Sequence, residues 1–425
     1  MIKLMLYHCI LLLMALIAAI PVVGQDDKKL GVSIEIRPRA EFRNGSLTLR
    51  SMGAEPAFFV SQRSRISADY NHNQLSIGIG VQNIRVWGAS PQIAPNEGNN
   101  TMIHEAWAAF QLNNDLTIKI GRQPLIYDDD RILGSLDWHQ AGRWHDVALL
   151  KYEPVSWKIH FGAAYNQDLE RIQNNFYSSP RNNYKTLQML WIGHQLNDNG
   201  KFSFLFLNTG FENPADSSQQ FLQTLGGNFY RVNTPLDITA SFYYQFGRNI
   251  SGIEVNAFLA SMYGKLALNY DHTLLFGTDY LSGENMRDDA DQEITAFDPL
   301  YGTHHKFYGY MDYFYVGNPH QNVGLWDKYL GIMTKLSDDF SLQLTTHHFN
   351  SGADVIPLNE TEPVDTYLGT EVDLTFKWSI APAVSLVGGY SQMFATESME
   401  ILKVGDHEAM QNWVWAMLTV NPEVF

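Results

Sequence analysis

Two short runs of this chain place arginine at every second position. Ser33, Glu35, Arg37, Arg39 and Glu41 share one parity, as do Ser61, Arg63, Arg65, Ser67 and Asp69. In an extended backbone, residues two apart point to the same side, so each run presents a row of guanidiniums. A guanidinium is a planar fork that matches a carboxylate or phosphate in two parallel hydrogen bonds. Two adjacent rows make an electropositive stripe able to concentrate anions. The alternative is a structural ladder in which Arg37, Arg39, Arg63 and Arg65 neutralise Glu35, Glu41 and Asp69, and the two readings are compatible. Ten of the fifteen arginines fall between Arg37 and Arg143, and Arg85 is assigned to the same lining on the strand reading.

Other chemistry-bearing clusters lead less far. Asp128-Asp129-Asp130 and the run from Asp288 to Glu293 carry the hard oxygens that calcium prefers, but neither has EF-hand spacing. They read as solvated or lipopolysaccharide-bridging loop charge. His304-His305 and His347-His348 are adjacent pairs, which on a strand point to opposite faces and do not chelate as units. No Gly-x-Ser-x-Gly, Walker or dinucleotide-binding glycine motif is present. No catalytic residue, metal or cofactor is therefore expected.

The elements that carry these rows follow from alternation. Leu236, Ile238, Ala240, Phe242, Tyr244 and Phe246 interleave with Asp237, Thr239, Ser241, Tyr243 and Gln245. Trp157, Ile159 and Phe161 stand against Lys158, His160 and Gly162, and Val372, Leu374, Phe376 and Trp378 against Glu371, Asp373, Thr375 and Lys377. Segments of about ten residues with this dyad period, separated by turns, predict a transmembrane antiparallel β-barrel of outer-membrane type. Arginines facing lipid cost a few kcal/mol near the midplane, so their rows are expected to face the lumen.

Alternation places strands near 31–42, 57–70, 74–87, 102–112, 115–124, 146–154, 157–167, 184–197 and 201–212. Nine more follow near 219–232, 236–249, 253–268, 272–282, 324–337, 340–350, 367–379, 383–394 and 410–420, about eighteen in all. Short Asn/Asp/Gly breaks suit periplasmic turns. The longest break, near 282–324, is aromatic and is expected to enter or cover the extracellular mouth. Leu4 to Ile20, after Lys3 and before Pro21, reads as part of a signal peptide over 1–24, with a single anchor as the alternative. Cys9, the only cysteine, lies within it. Residues 25–425 are expected to form one barrel domain ending in the aromatic Phe425. A formal net charge of −16 argues against nucleic acid as a partner.

Two stretches resemble the alginate export family of outer-membrane porins. One is Gly121-Arg122-Gln123, then Asp128-Asp129-Asp130-Arg131-Ile132-Leu133-Gly134, Asp137-Trp138 and Gly142-Arg143-Trp144-His145-Asp146. The other is Ser282-Gly283-Glu284, then Phe297-Asp298-Pro299-Leu300-Tyr301-Gly302-Thr303-His304-His305-Lys306-Phe307-Tyr308-Gly309-Tyr310-Met311-Asp312. The resemblance implies an eighteen-stranded barrel of a Gram-negative outer membrane, with an arginine-rich lumen passing an acidic polysaccharide. It adds Arg122, Arg131 and Arg143 to the lining, and a gating loop bearing Asp298, His304, His305, Lys306, Tyr308, Tyr310 and Asp312. Strict alternation puts Arg122 on the face of Ile118 and Ile120, so a bulge near Gly121 is expected to turn it inward.

The expected activity is passive passage of anionic or saccharide solutes. Outer-membrane lipid and lipopolysaccharide are the expected surroundings, and envelope or surface-lipoprotein partners are compatible with it. A plugged accessory barrel in a larger envelope complex is the second reading, and an outer-membrane hydrolase the third.

Overall fold

The computed structural model describes residues 29–93, 100–177, 183–286, 293–314, 322–358 and 360–424. The signal-peptide segment, Cys9, Asp288 to Gln292 and Phe425 lie outside the described residues, and of His304 only the backbone is described.

The sheet closes on itself. In chain order the strands are β1 (Lys29–Asn44), β2 (Ala57–His72), β3 (Leu75–Val86), β4 (Thr101–Gln111), β5 (Leu116–Gln123), β6 (His145–Tyr152), β7 (Trp157–Tyr165), β8 (Thr186–Asn197) and β9 (Gly200–Glu212). They continue as β10 (Gln219–Asn233), β11 (Leu236–Arg248), β12 (Glu254–Ala267), β13 (His272–Leu281), a two-residue β14 (Glu293–Ile294), β15 (Leu325–Lys335), β16 (Phe340–Asn350), β17 (Tyr367–Ala381), β18 (Val384–Ala395) and β19 (Gln411–Val420). Every barrel strand pairs antiparallel with its chain neighbour, and β19 pairs back onto β1, for example Arg39 opposite Met417. Leaving out β14, which lies beside the start of β12, the barrel has eighteen strands. All eighteen coincide with alternating segments of the sequence. Among the described residues one short α-helix of about two turns, α1 (Glu397–Lys403), lies within the 396–410 loop.

Alternation sorts the side chains as the dyad period requires. On β11, Tyr243 and Gln245 are buried inside, whereas Phe242 is 52% exposed outside. On β17, Glu371 and Asp373 face in and Leu374 faces out. The interior is not uniformly wet, however. Leu187 and Met189 of β8, Leu205 and Leu207 of β9, and Ala257 and Leu259 of β12 point inward and are buried. They pack against Leu125, Ile132, Leu133, Leu300 and Met311, which belong to connections rather than strands. β9 is thus apolar on both faces because chain enters the barrel beside it.

The connections fall into two sets. Turns such as 153–156, 198–199, 234–235 and 336–339 are short, and those at 124–144, 282–324, 351–366 and 396–410 are long. In outer-membrane barrels the short turns face the periplasm.

Opposite faces of β17 give a direct test of this sorting. Leu374→Arg is expected to destabilise the barrel by about 2–4 kcal/mol, the cost of a guanidinium on the lipid face near mid-strand. Thr375→Arg, facing the lumen, is expected to cost little. Urea titration of both variants folded into liposomes checks this, and equal losses would overturn the assignment of faces.

Candidate functional site

The arginine rows meet on the inner wall. Glu35 lies opposite Arg65, Arg37 opposite Arg63, and Arg39 opposite Ser61. Arg37, Arg39 and Arg63 are buried. Arg63 donates through Nε to Glu35 Oε1 (2.5 Å) and through Nη1 to Asp137 Oδ1 (2.8 Å). Arg37 donates through Nη1 to Asp137 Oδ2 (2.8 Å) and through Nη2 to the Asp137 carbonyl (2.7 Å). A single carboxylate therefore bridges two guanidiniums. Arg39 and Arg43 share Glu41, at 2.9 and 2.8 Å. Arg65 differs, because its Nε and Nη2 both donate to the neutral amide oxygen of Gln82, at 3.0 and 2.7 Å. Five guanidiniums thus face three carboxylates, and the surplus positive charge centres on Arg65.

Asp137 belongs to the 124–144 loop, which crosses the lumen and touches most of its circumference. Asp128 accepts from Trp191 Nε1 of β8 (3.1 Å) and from the Tyr243 hydroxyl of β11 (3.4 Å). Asp129 accepts from Ser241 of β11 (3.3 Å), and Arg131 donates to Asp279 of β13 (2.8 Å) and to Asp129 (2.8 Å). On the opposite side Arg39 donates to the Trp138 carbonyl (2.6 Å), and Gln82 to the Ala141 carbonyl (2.7 Å). The expectation that Asp128 to Asp130 form a solvated, lipopolysaccharide-facing run is corrected. These carboxylates are inside the barrel, where Asp128 and Asp129 hold the loop to its wall and Asp130 pairs with Lys306 of the 282–324 loop. Burial raises the Asp128 carboxyl above its ordinary range, only partly offset by its hydrogen bonds.

The 282–324 loop fastens to the first one, strand-fashion. Tyr301 N donates to Ile132 O (3.1 Å), Gly134 N to Tyr301 O (3.0 Å) and Thr303 N to Asp130 O (2.8 Å). Gly302 makes this approach possible, since a Cβ there would lie 2.1 Å from the Arg131 carbonyl oxygen. Arg143 Nη1 donates to the Gly302 carbonyl (2.8 Å), and Lys306 to Asp130 Oδ2 (3.0 Å). His305 stacks on Trp138 at 4.1 Å and bonds Asp312 through Nδ1 (2.9 Å). Trp138 in turn meets Trp415 edge-on at 4.7 Å. Tyr308 is buried beside Arg131, and Tyr310 packs on His305 with its hydroxyl pushed up to about 12 by burial. The Asp298 backbone pairs with the Gln245 side chain, its N–H donating (2.9 Å) and its carbonyl accepting (2.7 Å). Of the residues expected to gate, Asp298, His305, Lys306 and Tyr308 therefore pack on Gln245, Trp138, Asp130 and Arg131 within the lumen.

A second, acidic wall escaped the sequence reading. Asp279, Asp327, Glu371 and Asp373 are all at most 1% exposed on the inner faces of β13, β15 and β17. His347 Nδ1 bonds Asp327 Oδ2 (2.9 Å), and Met311 N donates to Glu371 Oε1 (2.9 Å). Its signal was present, since Glu371 and Asp373 occupy the inward parity of an alternating segment.

Two expected lining residues face outward. Arg85 lies opposite Gln62, one residue out of step with Gln82 and Arg63, and is exposed on the outer face. Arg122 stays on the side of Ile118 and Ile120, because the register past Gly121 runs without a bulge. It forms a two-pronged pair with Asp146, both contacts 2.9 Å, which offsets its charge at the strand end. His347 and His348 do take opposite faces, the second stacking on Tyr367 at 4.6 Å. His304-His305 starts a 3-10 turn instead of a strand. Among the described residues, three potential metal ligands converge only at Glu400, Asp406 and His407 in the 396–410 loop.

A family model described as alginate export matches residues 28–401. Compared with curated proteins, the sequence matches none. Among solved structures, it is similar to OccAB1 of Acinetobacter baumannii (TM-score 0.64, 14% identity, covering 95% of this chain and 100% of that one). It is also similar to the outer membrane protein OpdK of Pseudomonas aeruginosa (TM-score 0.61, 7% identity, covering 93% and 99%). OpdK with vanillate gives a TM-score of 0.59 at 9% identity, covering 93% and 99%.

Asp137 tests how the loop is held. Burial works against its charge, but Arg37 and Arg63 outweigh it and hold the carboxyl at about 2, below the ordinary 3.8. A carboxyl depressed in this way stabilises the fold above its ordinary value and loses that contribution as pH falls through the lowered one. Asp137→Ala is expected to cost about 2 kcal/mol, less than the ~3–5 of a fully buried pair. The discount reflects a side chain that is 57% exposed. Thermal unfolding from pH 5 to 2 should show the wild type losing an acid-sensitive increment that the variant lacks, and coincident curves would overturn the clasp.

Proposed function

This chain belongs to the alginate export family, and from that premise we propose that it is a passive outer-membrane channel for anionic or saccharide solutes. The observation that carries this reading is the unequal charge of the basic wall, where Arg65 faces the lumen on a neutral partner. Arg37, Arg39 and Arg63 set the potential of the wall while their own hydrogen bonds hold the 124–144 loop. An anion passing the loop meets a guanidinium that exchanges an amide contact for a carboxylate contact, which is the stronger bond. The similarity to OpdK, solved with vanillate, is compatible with a carboxylate solute.

A second reading, a closed accessory barrel, draws on the burial of Met311, Tyr313 and Val323 in the 282–324 loop. Planar-bilayer recording separates the two. The channel reading expects anion-selective steps, with Arg65→Glu moving the reversal potential towards cations, most clearly at low salt. Arg63→Glu is expected mainly to destabilise the barrel, because it strips Glu35 and Asp137 of their shared partner. An absence of steps in the folded wild type would favour the accessory barrel, and a reversal potential unmoved by Arg65→Glu would exclude the basic wall from selection.

A further inference from the structure

Four carboxylates line the inner wall of β13 to β17, and two of them meet a cationic or proton-donating partner directly. Asp279 accepts from Arg131 Nη2 (2.8 Å), and Asp327 from His347 Nδ1 (2.9 Å). Glu371 and Asp373 have no cation in hydrogen-bond contact. They stand two apart on β17, and their carboxyl groups lie within hydrogen-bond reach of each other. Met311 N–H donates to Glu371 Oε1, but among the described residues Glu371 Oε2 and both oxygens of Asp373 are buried with no hydrogen-bond partner. His347 Nε2 stands 3.8 Å from Asp373 Oδ2, too far for a hydrogen bond. Opposite Asp373, in register on β18, Ser391 is 1% exposed and its hydroxyl likewise has no partner. The 282–324 loop closes over this group at Gly309, where a Cβ would lie 2.7 Å from Glu371 Oε1. Buried acceptors left without a partner are costly, ionised carboxylates most of all.

We propose that Glu371, Asp373 and Ser391 hold a calcium ion between the barrel wall and the 282–324 loop. Every donor is a hard oxygen, and the two carboxylates supply the two charges that a divalent ion neutralises. Calcium accepts irregular oxygen sets, so main-chain oxygens of the loop can complete its coordination. Magnesium demands an octahedron and keeps several waters, and these oxygens are sealed from water. The ion fixes the loop through Glu371, which already receives the Met311 N–H. This holds for a conducting channel and a closed barrel alike, so it stands apart from the choice between them. It is also separate from the Glu400, Asp406 and His407 group, which lies in the 396–410 loop.

The test uses the full barrel carrying Glu400→Gln and His407→Gln, so that the 396–410 loop contributes no cation response. Refolded after chelator treatment, this protein is expected to unfold about 5 °C higher in saturating calcium than in chelator. Asp373→Asn in the same background, which keeps the side-chain volume, should abolish that rise, and Ser391→Ala should reduce it. Refolding with terbium gives a second readout that decides the matter if Asp373→Asn does not fold. Trp413 lies directly opposite Ser391, so exciting its indole should sensitise terbium emission that calcium suppresses. Equal unfolding temperatures in calcium and chelator, without sensitised emission, would overturn the site, and a midpoint that then moves only with pH would assign the two carboxyl groups a shared proton instead. A calcium-dependent rise that survives Asp373→Asn would overturn it as well.

Discussion

The Asp137 carboxylate, shared by Arg37 and Arg63, is the contact on which the interior of this barrel depends. These two guanidiniums face each other across adjacent strands, where like charges repel, and both are nearly removed from solvent. Glu35 supplies one countercharge from the wall itself. The other has to come from outside the sheet, and it comes from the loop that follows β5. An unpaired guanidinium buried in such a place would cost several kcal/mol, so the barrel wall and the loop are not independent parts.

Once that residue is placed, the rest of the loop has little freedom. Trp138 falls beside Arg39, with the guanidinium 4.1 Å from the ring centre. The same ring then receives His305 from the second long loop, and the backbone pairing of Leu133 with Tyr301 fixes the two loops to each other. The two stretches that carry the family resemblance are thus the two partners of one contact. Gly134 and Gly302 in those stretches sit where the chains approach too closely for a side chain.

The lining of the lumen changes along its axis. Towards the long-loop end, the interior is packed with apolar side chains from both wall and loops, which gives the constriction a rigid frame. Charge lines that frame on two sides, basic on β1 to β3 and acidic on β13 to β17. Towards the short-turn end the wall carries Lys158, Trp191, Lys201 and Tyr230, with space between them.

Inside against outside is a local property, and it was legible in the sequence wherever alternation was strict. Eighteen strands, the inward rows at Arg37 and Arg63, and the outward rows at Leu374 and Phe242 all follow from a period of two, because consecutive side chains in an extended backbone must point to opposite faces. Arg85 and Arg122 show the same rule from the other side, since assigning them to the lumen went against the parity of their own strands. What alternation does not carry is which connection enters the barrel and what it meets there. The aromatic content of 282–324 gave a hint, whereas the Asp128 to Asp130 run looked solvated because its partners, Trp191, Tyr243 and Lys306, are distant in sequence. The pairing of Arg37 with Asp137 joins residues a hundred positions apart. Countercharge for a buried cation is set by proximity in space, and only the closed barrel brings those groups together.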